Sequence, residues 1–163
     1  MGLWPQIKLD SDTDYSFCFC CGQENPIGLK LRFTWDGKTA RAEFTPTELY
    51  QGWQGITHGG ILISLLDEAM TYAALFESGP SVTAEIQVRL RRPVTINEPL
   101  VITASVTRKT KKLINAQAKI CSQDGAIIAE GQATQFVANG ANGPVNPEAM
   151  SRSSQSRQTG DSA

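Results

Sequence analysis

Residues 58–78 read HGGILISLLDEAMTYAALFES, and their apolar centre, ILISLLDEAMTYAALF, covers residues 61–76. A helix formed by this stretch would be apolar nearly all round, which is typical of a helix buried on most faces. Ser78-Gly79-Pro80 is a stop signal, so the helix is expected from about His58 to Glu77. A curved antiparallel sheet enclosing one helix would bury it in this way. Asp67 would then stand mid-helix in apolar surroundings, where an unpaired charge is costly.

Alternating apolar and polar residues predict strands on both sides of this helix. Before it, residues 29–36 and 38–45 alternate, and Asp36-Gly37 between them is a tight hairpin signal. The strands expected after the helix are 82–92, 99–108, 112–122 and 126–138. This order predicts an α+β fold with one long helix and an antiparallel meander.

Charge and hydropathy exclude several classes of function. The chain has 163 residues, and its 15 basic and 16 acidic side chains give a net charge of −1. Such a balance provides no overall basic field to attract nucleic acid or an anionic membrane. Residues 1–14 contain no apolar run that could serve as a signal peptide, and the apolar stretch near residues 61–76 is too short to span a bilayer. We expect a soluble cytoplasmic protein with neither a nucleic-acid nor a membrane partner.

The composition changes at about residue 138. Residues 139–163 contain no Leu, Ile or aromatic residue and are rich in Ser, Gly, Asn and Gln. Such a segment cannot bury enough apolar surface to offset the entropy lost on ordering. We therefore expect a single domain over residues 1–138, followed by a disordered tail over residues 139–163.

The cysteines are unevenly distributed. Cys18, Cys20 and Cys21 lie within four residues, and Cys121 is far from them. Nothing indicates secretion, so a disulfide framework is not expected. The gap between Cys18 and Cys21 is that of half a zinc site, but a structural zinc needs further ligands, and only Cys20, Cys121 and the single histidine, His58, remain. We expect a reduced, partly buried turn, no bound metal and no cofactor.

The start of the long helix, Thr57-His58-Gly59-Gly60, carries a second signal. Thr57 is expected as the N-cap. Two glycines in the first turn leave backbone N–H groups open to a ligand, and with the positive end of the helix dipole they would form an oxyanion site. Alternatively, the glycines allow tight packing against a neighbouring strand. Glu68 lies about 100° round the helix from Asp67 and is expected to face solvent.

His58-Gly59-Gly60 followed after six residues by Asp67 resembles the central-helix motif of hotdog-fold acyl-CoA thioesterases, in particular the phenylacetate-pathway type within the 4-hydroxybenzoyl-CoA thioesterase superfamily. Residues 18–33, CFCCGQENPIGLKLRF, resemble the Cys-Gly…Asn-Pro…Gly-Leu segment of a subset of these proteins, and residues 83–94, TAEIQVRLRRPV, resemble the strand after the helix. The resemblance covers about residues 18–138. It implies a long helix wrapped by a five- or six-stranded antiparallel sheet, in a homodimer or a homotetramer built as a dimer of dimers.

The resemblance also implies roles for single residues. Asp67 would be the nucleophile or general base, and the Gly59 N–H would be the oxyanion donor for the thioester carbonyl. His58 would orient the loop or touch the thioester, or act as a structural cap. Many members carry an Asn about six residues before the His, where this chain has Gly52. Gln51 is the expected substitute, because its amide offers the same donor and acceptor.

Further residues would bind water and the CoA group. Thr83, on the strand after the helix, is expected to assist the water, and Glu85 is a weaker candidate expected on the same strand face. Charged side chains could meet the CoA phosphates, although a basic turn is equally typical of a solvated hairpin. The basic residues expected at the phosphates are Arg89, Arg91, Arg92 and Lys111.

Three functions share these residues. The first is hydrolysis of an acyl-CoA to a free acid and CoA, and the intact Asp67 motif favours it over the second, a non-catalytic acyl-CoA-binding protein of the same fold. The third is a hotdog hydratase acting on enoyl thioesters, a class that the spacing from Gly59-Gly60 to Asp67 does not resemble. Trp53, Tyr72 and Phe76 either line an acyl tunnel or belong to the core.

The spacing of the two main site residues predicts a shared site. Gly59 and Asp67 are eight residues apart, which is about 12 Å along a helix axis. One thioester cannot meet both groups of the same chain. Two helices packed antiparallel about a twofold axis would bring Asp67 of one chain near Gly59 of the other.

Overall fold

One long α-helix and six strands make up the described part of the chain, which in this computed structural model comprises residue 9, residues 13–138 and residues 143–145. The elements in chain order are β1 (Thr34–Trp35), β2 (Ala40–Phe44), a 3₁₀ helix (Glu48–Tyr50), α1 (Gly59–Ser78), β3 (Ser81–Leu90), β4 (Leu100–Lys109), β5 (Leu113–Ser122) and β6 (Ile127–Val137). The α+β class expected from the sequence is confirmed.

The six strands form a single antiparallel sheet in the order β1-β2-β4-β5-β6-β3. Strands β4, β5 and β6 form an antiparallel meander, but the expectation that β3 is its first strand is wrong, because β3 follows α1 to the far edge of the sheet and pairs with β6. β3 pairs only with β6, so the other side of this ten-residue strand has no strand partner among the described residues. The edge strand is therefore the one that carries Thr83 and Leu90.

The core lies between α1 and one face of the sheet. Leu65, Leu66 and Met70 are fully buried on the helix. Many strand positions that face them are alanines, and these small side chains let the helix approach the sheet closely. By length and composition α1 is apolar enough to cross a membrane, but half of its most apolar window is buried inside the protein, as expected of a core helix.

The N-cap of α1 is His58, and the expectation that Thr57 caps the helix is wrong. His58 Nδ1 accepts a hydrogen bond from the Gly60 N–H at 2.9 Å. Thr57 is buried, and its N–H donates to the Val94 carbonyl at 2.8 Å, because it forms part of a bridge between loops rather than the first turn of the helix. At the other end, Gly79 adopts a φ of 107° and closes the helix near the expected position.

The first predicted strand is much shorter than expected. Residues 29–33 alternate between buried and exposed, but they do not pair with β2. Instead the N–H groups of Leu29 and Leu31 donate to the carbonyls of Phe19 and Cys20. Lys30 between them has a φ of 58°, which a strand cannot contain. The alternation therefore reflects packing of this segment on the cysteine turn.

The predicted tail lies mostly outside the described residues. Of residues 139–163 the structure describes 143–145, where the Val145 N–H donates to the Leu75 carbonyl at 3.1 Å. The disordered tail stays a prediction.

Candidate active site

Asp67 lies in the middle of α1, partly buried, at the edge of the sheet formed by β3. Its Oδ1 accepts a hydrogen bond from the Thr83 hydroxyl at 2.8 Å. The two residues expected to handle the water are therefore in direct contact. The two residues are 16 positions apart in the chain, and they meet because α1 packs against β3.

Behind Thr83 lies a buried amide that sequence reasoning missed. Gln135, on β6, is fully buried, and its Nε2 donates to Thr71 Oγ1 at 3.2 Å and to Thr83 Oγ1 at 3.5 Å. Its Oε1 accepts from the Ser81 hydroxyl at 2.7 Å. Both ends of the amide are thus satisfied, as burial requires. Because Gln135 donates to the Thr83 oxygen, the Thr83 proton points to Asp67. The signal in the sequence was a glutamine at an inward position of an alternating strand.

Glu85 does not share the strand face of Thr83. On β3, Thr83 lies opposite Gln135 of β6, and Glu85 lies opposite the adjacent Thr134. Ala84 is therefore an extra residue on β3 and forms a β-bulge. The bulge reverses the alternation, and Glu85 is exposed, accepting a hydrogen bond from Gln87 at 2.9 Å. The expectation that Glu85 lies beside Thr83 is therefore wrong.

The first turn of α1 leaves one N–H group available. The Gly60 N–H is used by His58 Nδ1, and the Ile61 N–H donates to the His58 carbonyl at 3.0 Å. Within the described residues, no acceptor takes the Gly59 N–H. A Cβ at Gly59 would lie 3.2 Å from Leu90 Cδ1, which supports the interpretation that this glycine allows tight packing against a strand. It packs against β3, and its amide remains open to a ligand at the positive end of the helix.

Gln51 lies in the loop before the helix, and its side chain is engaged there. Its Oε1 accepts from the Gly55 N–H at 3.0 Å, which closes the exposed loop containing both residues. The neighbouring Gly52 lies against His58, since a Cβ there would be 3.2 Å from His58 Cα. A larger residue at this position would press on the N-cap of α1. Gln51 would have to give up its loop contact before it could position a water.

Glu68 does not face solvent as expected. It is partly buried under the N-terminal turn, with Oε1 3.6 Å from Cys18 Sγ. Burial raises the pKa of the Glu68 carboxyl to about 8, and the Cys18 sulfur adds to the rise. The pKa of Cys18 is lowered, mainly by a hydrogen bond from the Cys21 thiol. The reason for the wrong expectation is that residues 15–22 pack on this side of α1, which its local sequence cannot reveal.

The basic residues expected at the CoA phosphates do not form one cluster in a single chain. Arg91 and Arg92 form ion pairs with Glu130 and Glu98, each at 2.6 Å. They lie just beyond the end of β3, whereas Lys111 lies in the β4–β5 turn at the opposite end of the sheet. Exposed ion pairs of this kind contribute little to stability, so a phosphate could compete for the arginines.

Arg89 is exposed on the outer face of the sheet, where it lines a surface depression together with Gln87 and Lys119. A second depression lies beside it on the same face. Neither depression is lined by Asp67 or Gly59. These two predicted site residues therefore lie outside both depressions.

The three aromatic residues weighed as tunnel lining separate into two groups. Tyr72 stacks on Phe33 with ring centroids 4.4 Å apart, and Phe76 is buried against Trp35. Phe76 belongs to the buried core, and Tyr72 is partly buried against it. Trp53 lies in the loop before the helix and is 84% exposed, so it is available to contact a ligand or another chain.

Known proteins resemble this chain in sequence and in fold. Residues 54–129 match the family model of the thioesterase superfamily. Mouse acyl-coenzyme A thioesterase 13 is 30% identical over 88 residues, which cover 52% of this chain and 63% of that protein. The chain thus spans less than two thirds of the length of this curated relative.

Solved structures match over more of the chain. The Escherichia coli PaaI protein from the phenylacetic acid degradation operon has a TM-score of 0.65 at 24% identity, covering 69% of this chain and 83% of its own. A hypothetical thioesterase from Streptococcus pneumoniae, solved with coenzyme A, has a TM-score of 0.61 at 17% identity. The match covers 68% of this chain and 90% of that protein. The hotdog fold and the resemblance seen in the sequence are confirmed.

Proposed function

We propose, from the match of residues 54–129 to the family model of the thioesterase superfamily, that this chain hydrolyses the thioester bond of an acyl-CoA to a free acid and CoA. The observation that carries the proposal is the hydrogen bond from Thr83 to Asp67, which holds a carboxylate at the edge of the sheet by a hydroxyl that is itself oriented by Gln135. A non-catalytic acyl-CoA-binding protein would have no need of this arrangement.

The reaction assigns a task to each group. Asp67 accepts a proton from water as that water attacks the thioester carbonyl carbon, or attacks the carbon itself to form an anhydride that water then opens. The Gly59 N–H donates to the oxygen that becomes negative in the tetrahedral intermediate. The carbon–sulfur bond breaks as the carbonyl reforms, and the departing thiolate takes up a proton. Thr83 keeps Asp67 oriented throughout.

The two groups act on one substrate only across a subunit interface. Within one chain they are eight residues apart on α1, about 12 Å along the axis. They also contact different parts of β3, since Gly59 lies against Leu90 and Asp67 against Thr83. The unpaired edge of β3 supports a second copy of the chain as the missing neighbour.

A specific register follows from these contacts. If two β3 strands pair antiparallel about a twofold axis between residues 86 and 87, Thr83 of one chain lies opposite Leu90 of the partner subunit. Asp67 then approaches Gly59 of the partner subunit, and the same site forms twice. We place the enzyme in the cytoplasm as a homodimer or a dimer of dimers, with CoA phosphates bound by Arg89, Arg91, Arg92 and Lys111 from the two subunits.

Activity is tested by a hydrolysis screen over short, long and aryl acyl-CoAs, with the released CoA measured chromatographically. Thiol reagents are avoided because the four cysteines would react with them. We expect turnover on at least one class. Binding of acyl-CoA with no turnover on any class would make the chain a binding protein instead.

The shared site is tested by complementation. Asp67→Ala and Gly59→Val proteins carrying different affinity tags are mixed, allowed to exchange subunits, and purified on both tags. A mixed dimer has one intact and one doubly altered site, so about half of the wild-type activity should return. The matched control is a mixed dimer of two differently tagged Asp67→Ala chains, which should stay inactive. Inactive mixed dimers of the two different variants would contradict the shared site while leaving the hydrolysis result intact.

A further inference from the structure

We propose that Cys18, Cys21 and Glu68 bind a zinc ion that fastens the N-terminal turn to α1. The two sulfur atoms and a carboxylate oxygen all lie within 4.8 Å of one another, and all three residues are partly buried. The site is separate from the proposed catalytic groups and does not depend on the hydrolysis reaction.

The spacing fits a tetrahedral ion. With zinc–sulfur and zinc–oxygen bonds of about 2.3 and 2.1 Å, two ligands of a tetrahedral site are about 3.6 Å apart for a sulfur–oxygen pair. The distance from Cys18 Sγ to Glu68 Oε1 is 3.6 Å. Without a metal the same distance serves a hydrogen bond between sulfur and the carboxyl group. Loading the site therefore requires loss of protons and only a small movement of side chains.

The turn that carries the thiols is built in advance. The Cys18 N–H donates to the Tyr15 carbonyl at 3.0 Å, which fixes the backbone before the first thiol. The Gly22 N–H donates to the Cys18 carbonyl at 2.9 Å. A Cβ at Gly22 would lie 2.4 Å from the Cys18 nitrogen, so only glycine fits after the second thiol.

The rest of the motif in residues 18–33 holds this turn in place. The Asn25 side chain donates to the Phe17 carbonyl at 3.1 Å, and the Leu29 N–H donates to the Phe19 carbonyl at 2.8 Å. A Cβ at Gly28 would be 2.9 Å from the Phe19 carbonyl oxygen. The residues of the Cys-Gly…Asn-Pro…Gly-Leu pattern thus hold the turn in the conformation that places the sulfurs of Cys18 and Cys21 beside Glu68.

The ligand chemistry favours zinc. Thiolates select zinc over magnesium and calcium, and Cys and Glu are both accepted zinc ligands. The sequence did not indicate this third ligand, because Glu68 was expected to face solvent, whereas it lies 3.6 Å from Cys18 Sγ. With three protein ligands, the fourth position is taken by water. Cys20 is excluded as a ligand since its thiol points to the Ser64 carbonyl, and Cys121 lies on β5.

The test measures metal content on the full chain, purified without a chelator or a polyhistidine tag. We expect about one zinc ion per chain, and cobalt titration should produce the thiolate charge-transfer absorption of a tetrahedral site. Cys18→Ser, Cys21→Ser and Glu68→Gln should each weaken binding by more than the roughly 10- to 100-fold caused by loss of an outer partner. Cys121→Ser and Cys20→Ala are matched controls that should keep the metal.

Several results would overturn the site. One is protein that carries no zinc and shows no charge-transfer band on titration with cobalt. Another is a mass two hydrogens lower than that of the reduced chain in protein that binds no metal, which would show that Cys18 and Cys21 form a disulfide instead. Equal loss of metal in the control variants would show that the ion binds elsewhere. None of these readouts depends on thioesterase activity.

Discussion

Asp67 and Glu68 are adjacent carboxylates on one helix, yet they lie in different chemical surroundings. Asp67 faces the edge of the sheet, where the Thr83 hydroxyl donates to it. Glu68, about 100° further round, faces the cysteine turn, where burial and the Cys18 sulfur raise its pKa to about 8. The element packed on each side of the helix, rather than the residue type, therefore sets the chemistry available to each carboxylate.

The largest loss of activity is expected on substitution of Asp67, and comparison with the same change at Glu68 tests whether the two carboxylates have separate roles. Asp67→Asn removes the base or nucleophile while keeping the shape, so kcat should fall by about two to four orders of magnitude with the fold intact. Glu68→Gln should lower kcat far less. Steady-state kinetics and circular dichroism on both variants check this.

The control for this pair is Glu77→Gln, a third carboxylate on α1 that forms an ion pair with Lys109 at 3.6 Å and should leave kcat unchanged. Equal losses in the Asp67 and Glu68 variants would mean that the two carboxylates act together. Full activity of Asp67→Asn would show that hydrolysis proceeds without Asp67 as nucleophile or general base.

The second prediction concerns the hydroxyl that distinguishes the surroundings of Asp67. Thr83→Val keeps the side-chain shape but removes the hydrogen bond to a charged group, which is worth about 1.5–3 kcal/mol. We expect kcat to fall roughly 10- to 100-fold with KM little changed. Thr83→Ser should restore most of the loss, because the hydroxyl returns. A change in KM alone would show that Thr83 binds substrate instead of orienting Asp67.

The smallest expected effect lies at the end of the helix, away from both carboxylates. Deleting residues 139–163 removes, among the described residues, the hydrogen bond from Val145 to Leu75 and no proposed site residue. The free energy of unfolding should fall by no more than about 1 kcal/mol, and turnover should stay the same. Urea unfolding compares this chain with one ending at Val145, which retains the bond. A loss of several kcal/mol would show that the tail packs on the domain.

Much of the fold was predictable because its signals are local. The apolar run of residues 61–76 and the Gly79-Pro80 stop predicted α1 within one residue at each end. The later strands agree with their predicted ranges to within two residues. The prediction of a strand over residues 29–33 is wrong, because alternation of buried and exposed residues also arises when a segment packs on a turn. Asp67 and Thr83 were both expected in the site, but their contact could not be known from spacing.

By itself, then, the sequence determined the helix, the strands and the family pattern around Asp67, because hydrophobic period and turn residues act over a few neighbours. Three features are visible only in the folded chain. β3 is an edge strand, Gln135 donates a hydrogen bond to Thr83, and Glu68 contacts Cys18. Cys18 and Glu68 are 50 positions apart in the chain, and Thr83 and Gln135 are 52 apart. These contacts depend on strand order, a β-bulge and the packing of a loop on a helix, and no local pattern encodes those.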